Sequence, residues 1–402
     1  MLREPAKRSC APLTLEKSLC YAHQLGSSCL PEPHRVIGSE MVVADSVAEH
    51  IAALQDEDWA VREEAAEALG SLKDARAVLP LVRLLADSDR SVRTAAVAAL
   101  TAIGAPAVVP VGEGLRHSNL NVQEAAASIL SAIADARVLD GLMAALRSTD
   151  WVVRMHAAKA LGRIGEARAV GALLPLLQDK VKAVREDVVA ALALIGPEAV
   201  APLMATLSHE EWLVRLHAVE ALGKLRAVDA VDALLHLIFN DPDQAVREDA
   251  VRALGAIGDA RAVDFLLVVM KTPGFRPIAI ESLGRIADRR AVSALTAVVT
   301  GEARPEVSRP VHGCQDRWDE EMESMGAAVT ALARIKDPAT IPTLIGALQQ
   351  TVTRAEAATG LVAFGDAAIP PLLQLLKTEP DGNIVFYVKE ALSQLGWRAG
   401  RI

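Results

Sequence analysis

The side chains best suited to chemistry in this chain are His156, Asp187, His217 and Asp249, which fall at one position of a recurring motif. That motif reads Val153-Arg154-Met155-His156-Ala157, Val184-Arg185-Glu186-Asp187-Val188, Val214-Arg215-Leu216-His217-Ala218 and Val246-Arg247-Glu248-Asp249-Ala250. Imidazoles and carboxylates ligate transition metals, and imidazole carries protons near neutral pH, so an alternating row is a candidate for either task. The same groups also hydrogen-bond between neighbouring helices. Packed helices lie about 8–10 Å apart, which sets His156 and His217, two repeats apart, on the order of 16–20 Å from each other. One zinc ion needs each ligand at about 2.0–2.1 Å. Hydrogen bonding between repeats is therefore the expected role, with no bound metal.

What must position these residues is a repeat. Anchoring on the leucine that closes each motif gives Leu69, Leu100, Leu130, Leu161, Leu192, Leu222, Leu254, Leu283, Leu332, Leu361 and Leu392. The intervals are 31, 30, 31, 31, 30, 32, 29, 49, 29 and 31 residues, and a near-constant period of this size marks a stacked-repeat architecture. Val61, Ala65, Ala68, Leu69 and Leu72 make one apolar stripe at helical spacing. Asp74 then stands where it would cap a second helix, and Asp135, Asp259, Asp288, Asp337 and Asp366 take equivalent places. The second helix is short and apolar, with Pro80, Pro110, Pro175, Pro202, Pro342 and Pro370 near its start, where a missing N–H costs little. The fold predicted is all-α, a right-handed α-solenoid of two-helix repeats with eleven first-type helices. A lone second-type helix over Ser46 to Leu54 and a lone first-type helix over Asn383 to Leu395 close its ends. The uncharged run Thr94 to Gly112 falls on a helix, a turn and the next helix start, so it reads as a buried pair and not a membrane span.

Four further features depart from plain repeat packing. Trp59, Trp151 and Trp212 share one position at the turn before the first helix, where other repeats carry Arg90, Leu120, Lys182 and Gln244. Tryptophan is enriched at the centres of protein interfaces, and it also plugs gaps between repeats; the sequence leaves both uses open. Arg62, Arg93, Arg154, Arg185, Arg215 and Arg247 follow the motif valine and are expected to pair with acids of adjacent turns, such as Asp58, Asp89, Asp150 and Asp243. The long interval marks an insertion, residues 301–325, read as a surface loop in which His312, Cys314 and Trp318 are candidates for partner binding. One His and one Cys lack the additional groups that a metal or nucleophile site requires. Residues 1–44 read as a disordered or non-native extension, because residues 1–40 have no helical period and contain Pro5, Pro12, Pro31 and Pro33, and Met41 follows them as a possible start. Repeats are expected over 45–300 and again, with the C-terminal cap, over 326–402.

Composition narrows the function. Hydrophobic residues make up 51% of the 402 and aromatics only 3%, so the core must be Ala, Leu, Val and Ile. A net charge of −9 argues against a surface that tracks phosphates, and no nucleic-acid or membrane partner is expected. The first thirty residues contain no apolar signal core, and four cysteines are too few for a disulfide framework at this length. A cytoplasmic location is expected.

The segment Val246 to Val263 spells Val-Arg-x-x-Ala-x-x-Ala-Leu-Gly-x-Ile-Gly-Asp-x-Arg-Ala-Val. On these residues the chain, from about Asp45 onward, resembles the HEAT-like repeats of the phycobilisome-lyase superfamily. The resemblance implies one of three activities: attachment of bilin pigments, metal-dependent hydroxylation of deoxyhypusine, or plain scaffolding. The hydroxylase carries His-Glu pairs in the slot that here holds Glu63-Glu64, Thr94-Ala95, Glu124-Ala125, Met155-His156, Glu186-Asp187, Leu216-His217 and Glu248-Asp249. None is His-Glu, and His209-Glu210 lies out of register. The leading expectation is a non-catalytic scaffold for a protein partner, without cofactor. Its second helices are expected to line the inner face, where Met143, Met204 and Met270 add an adaptable apolar surface. A bilin lyase-like enzyme or chaperone for a tetrapyrrole-carrying protein is the alternative, and a metal-dependent hydroxylase-like oxidoreductase comes third.

Overall fold

The computed structural model describes residues 39–302 and 314–397, with side chains over 46–302 and 319–397. The chain divides after Ser46, and the unit from Val47 onward is an α-solenoid with no strand among its described residues. Its first-type helices are Trp59–Leu72, Arg90–Ile103, Leu120–Ile133, Trp151–Ile164, Lys182–Ile195, Trp212–Lys224, Gln244–Ile257, Arg276–Ile286, Cys314–Ile335, Arg354–Val362 and Gly382–Gln394. Each is named below by its first residue. Every anchor leucine from Leu69 to Leu392 is buried, and each fully buried leucine contributes roughly 1.5–3 kcal/mol. The core runs the length of the array because each repeat buries its stripe against the next.

Between the helices of a repeat lies a short 3₁₀ turn, and it is this turn that Asp74, Asp135, Asp259, Asp288 and Asp337 cap, each accepting the backbone N–H two residues on. Asp366 departs from the expectation: it lies inside the turn Gly365–Ala368, whose cap position is Phe364. The uncharged run over Thr94 to Gly112 bends by 113° between Arg90–Ile103 and the following Ala105–Gly114 segment, and no single helix among the described residues is long and apolar enough to cross a membrane.

The motif glycine sets how closely first helices approach. A Cβ on Gly162 would sit 2.5 Å from Ala191 Cα, and one on Gly70 would sit 2.8 Å from Ala99 Cα. Only a residue without a side chain permits that contact. Thr101, Ser131 and Ala193 replace the glycine in the Arg90, Leu120 and Lys182 helices. The array therefore has two grades of joint.

Three expectations need correction. The N-terminal helix is Ser39–Ala53, not Ser46–Leu54, so it includes Met41 and the end of the segment assigned to a tail. Residues 1–38 lie outside the described residues. The insertion is not all loop: Cys314–Ile335 is one helix of 22 residues, as a stretch free of Gly and Pro from Cys314 to Met325 allows. Glu320 Oε1 from this extension accepts the Gly274 N–H at 2.8 Å. Met270 is buried, and Met143 and Met204 pack against the core, so none forms the open methionine surface expected.

Candidate functional site

The first helices start with a device that the sequence reading missed. Before eight of these helices the side chain two residues ahead of the cap accepts the cap's own N–H: Asp56, Asp87, His117, Ser148, Asp179, His209, Asp241 and Glu379 do so, at 2.8–3.2 Å. The cap residue then accepts from the helix, as Asp58, Asp89, Asp150 and Asp243 do. Those carboxylates are occupied by their own helices, which is why they are not the partners of the motif arginines.

The arginines instead join the upstream acids of the following repeat. Arg62 donates through Nε and Nη2 to Asp87 at 2.9 and 3.0 Å, Arg154 to Asp179 at 2.7 and 3.0 Å, and Arg215 to Asp241 at 2.7 and 2.9 Å. Their Nη1 atoms donate to two carbonyls that end the preceding turn, such as Asp56 and Glu57 for Arg62. Bidentate, charge-assisted geometry of this kind is the strong form of an ion pair. The Arg215–Asp241 pair is the most enclosed, with side chains 8% and 2% exposed. Burial pushes the Asp87 and Asp179 carboxyls up, but arginine and backbone N–H donors outweigh it and hold both below the usual carboxylate range.

The ladder has gaps. Where Arg93 and Arg185 would meet an acid, the sequence places His117 and His209, whose Nδ1 atoms accept the cap N–H. Arg93 keeps its carbonyl bonds to Asp87 and Ser88 but has no carboxylate partner among the described residues. Arg247 likewise holds the Asp241 and Pro242 carbonyls, while Thr272 stands at the next acid position. Arg185 Nε donates to His217 Nε2 at 3.0 Å. That nitrogen is therefore an acceptor, and the imidazole proton belongs on Nδ1, 3.3 Å from Glu220 Oε2.

The His/Asp row does not converge. His156 Nδ1 lies 3.5 Å from Ser131 Oγ, and burial lowers its pKa. Asp187 pairs with Lys159 at 3.2 Å. His217 is buried between Arg185 and Glu220. Hydrogen bonds from His217 and Lys224 hold the Glu220 carboxyl down at about 2. Asp249 is raised to about 6, first by burial and then by the nearby Glu220 charge, and among the described residues its ion pair is a 3.7 Å contact with Arg252. Among the described residues no three His, Cys, Asp or Glu side chains come together as a metal-binding group.

The tryptophans separate cleanly from this network. Trp59, Trp151 and Trp212 are the first residues of their helices and remain 48%, 43% and 43% exposed, so they are not plugs. Leu120 opens its helix in the same register and is also exposed. His312 lies outside the described residues, and of Cys314 and Trp318 only the helical backbone is described. Between helices Cys314–Ile335 and Arg354–Val362 an open cleft of about 430 Å³ is lined by Thr330, Arg334, Lys336, Glu356 and Thr359; the sequence did not point to it.

Comparison with known proteins fits this geometry. Matches to HEAT repeats cover residues 47–111, 108–193, 173–238, 200–275, 231–311 and 319–396. Phycocyanobilin lyase subunit alpha of Synechococcus elongatus is 49% identical over 47 residues, 12% of this chain and 17% of that protein. Deoxyhypusine hydroxylase of Coccidioides immitis is 43% identical over 60 residues, 14% of this chain and 18% of that protein. The chain thus spans under a fifth of the length of either curated relative. Among solved structures, yeast importin-beta covers 89% of this chain with 58% of its own, at TM-score 0.58 and 16% identity. Kap121p bound to the extreme C-terminus of the phosphatase Cdc14p covers 88% with 46% of its own, at TM-score 0.59 and 14% identity.

Proposed function

The chain belongs to the HEAT-repeat family, and from that premise we infer that it is a cytoplasmic, non-catalytic scaffold holding a protein partner along the edge where its first helices begin. The observation that carries this reading is the register of half-exposed Trp59, Trp151 and Trp212 on helix starts fixed by caps and arginine clamps. Rigid aromatic anchors on a stiff support are the usual centres of binding energy. The ionisable groups beside them are engaged mainly with one another. A distant structural neighbour, Kap121p, holds the C-terminus of another protein.

The test is affinity capture from native extract with the full chain and with a Trp151→Ala/Trp212→Ala variant. A stoichiometric partner released at least tenfold by the double variant, about 1.4 kcal/mol or more, supports the scaffold. A partner retained equally well by both proteins overturns it. The short lyase-like stretch favours a second reading, an enzyme or chaperone for a tetrapyrrole-carrying protein. A bilin absorption band that shifts on addition of the chain would move that reading to the front. A hydroxylase-like activity would instead show bound iron that disappears in His156→Ala or His217→Ala.

A further inference from the structure

The exposed aromatic register alternates with basic repeats in a way that defines the partner's chemistry. Trp59, Trp151 and Trp212 open the helices whose arginines, Arg62, Arg154 and Arg215, are closed by Asp87, Asp179 and Asp241. The helices whose arginines lack a carboxylate open instead with Arg90, Lys182 and Gln244. First and fourth residues of a helix share a face, so Arg90 stands over Arg93 and Lys182 over Arg185. The order along the edge is Trp59, then Arg90 with Arg93, then Leu120; after it come Trp151, then Lys182 with Arg185, then Trp212. Each set is an apolar residue, a doubled cation and an apolar residue.

The second set is the more cationic. Its cap residue is Val181, so no cap carboxylate faces Lys182, and exposed Lys180 adds a third charge. The Lys182–Glu186 contact, 3.4 Å between two largely exposed side chains, is a weak surface pair that a better anion can displace. Arg185 is oriented by the Asp179 carbonyl and His217, which leaves Nη2 without a partner among the described residues. Glu210 and Glu211, in the turn before Trp212, repel an acid placed beyond Lys182 and Arg185.

We propose, building on the scaffold reading, that the Trp151–Lys182–Trp212 edge binds an extended acidic-apolar segment of a partner protein, with a carboxylate on Lys182 and Arg185 and apolar side chains on the two tryptophans. Helices about 8–10 Å apart, against about 3.3 Å per residue of extended chain, put roughly three partner residues on each repeat. The segment then reads apolar-x-x-acid-x-x-apolar. A continuous polyanion fits poorly, because Asp58, Asp89, Asp150 and Asp243 cap helices along the same edge.

The probe is a fluorescent peptide with Leu-Ser-Ser-Glu-Ser-Ser-Leu as its core, read by anisotropy against the full chain. The same peptide with Gln for Glu is the control. Lys182→Glu, at an exposed position, is expected to weaken binding about tenfold. His209→Asp supplies Arg185 with the acid its neighbours already have; it is expected to weaken binding similarly while the melting temperature holds or rises, which separates a lost site from a lost fold. Equal affinity for the Gln peptide, or no effect of either variant, overturns the acidic-segment proposal. So does preferential binding of a single-stranded oligonucleotide. Capture of the native partner separates the two readings: release by the tryptophan variant but not by Lys182→Glu leaves the scaffold standing without the acidic segment, and release by neither removes both.

Discussion

The joint between the Trp151 and Lys182 helices and the next one, between the Lys182 and Trp212 helices, come from the same motif and are held differently. In the first, Gly162 lets the Ala191 backbone into contact and Arg154 closes on Asp179. In the second, Ala193 replaces the glycine and Arg185 meets a histidine where Arg154 meets an acid. In these two joints close approach and the ion-pair clamp go together, whereas Gly255 keeps close approach at a joint where Arg247 has only carbonyl partners among the described residues. At the second joint the substitution that removes the close contact also leaves a cation available. The surface that could recognise a partner is a by-product of incomplete packing.

The largest way to break the contrast is Gly162→Val. The new Cβ would fall 2.5 Å from Ala191 Cα, forcing the helices apart at a cost of about 3 kcal/mol, which chemical denaturation would register. Asp179→Ala comes next, at about 2–3 kcal/mol, because it leaves Arg154 partly buried without its counter-charge. The equivalent His209→Ala removes one cap acceptor and is expected to cost only about 1 kcal/mol; equal losses at the two positions would erase the distinction between joints.

Asp249→Asn sharpens the comparison from the other side. The Asp249 carboxyl rises from 3.8 to about 6 in the folded chain. Below about pH 4 it is protonated in both states. As pH rises from about 4 to 6 the unfolded chain ionises first, so stability falls, and above about 6 the folded state carries the full cost. The variant should therefore gain stability at pH 8, by up to about 3 kcal/mol, and gain almost none at about pH 3. Thermal melts at the two values check this. The smallest effect expected is from His117→Asp, which completes the Arg93 clamp and should raise stability by about 1 kcal/mol.

Period and stripe were enough to place all eleven first helices, because one leucine per repeat must be buried and nothing else in the chain recurs so regularly. The arginine partners were misplaced by two residues. An Asp-x-Asp turn offers two carboxylates, and only backbone geometry decides that the nearer one turns onto its own helix while the farther one faces back along the array. The exposure of the tryptophans was undecided in the sequence for a similar reason: a helix's first residue sits on the rim of the packing, where either outcome satisfies the hydrophobic pattern. The helical half of the insertion was legible in its lack of Gly and Pro, but the long interval between anchors outweighed that signal.

The alternation of joints also makes the array a spring with two stiffnesses. Tension along a stack is the same at every joint, so extension concentrates where resistance is least. Here that is beside His117 and His209, while the Trp59 and Arg90 helices, and the Trp151 and Lys182 helices, travel as rigid couples. The separation between Trp151 and Trp212, which spans the joint beside His209, is then one of the two lengths that a pull or a twist changes first, and a partner gripping both tryptophans would fix the strain of that joint.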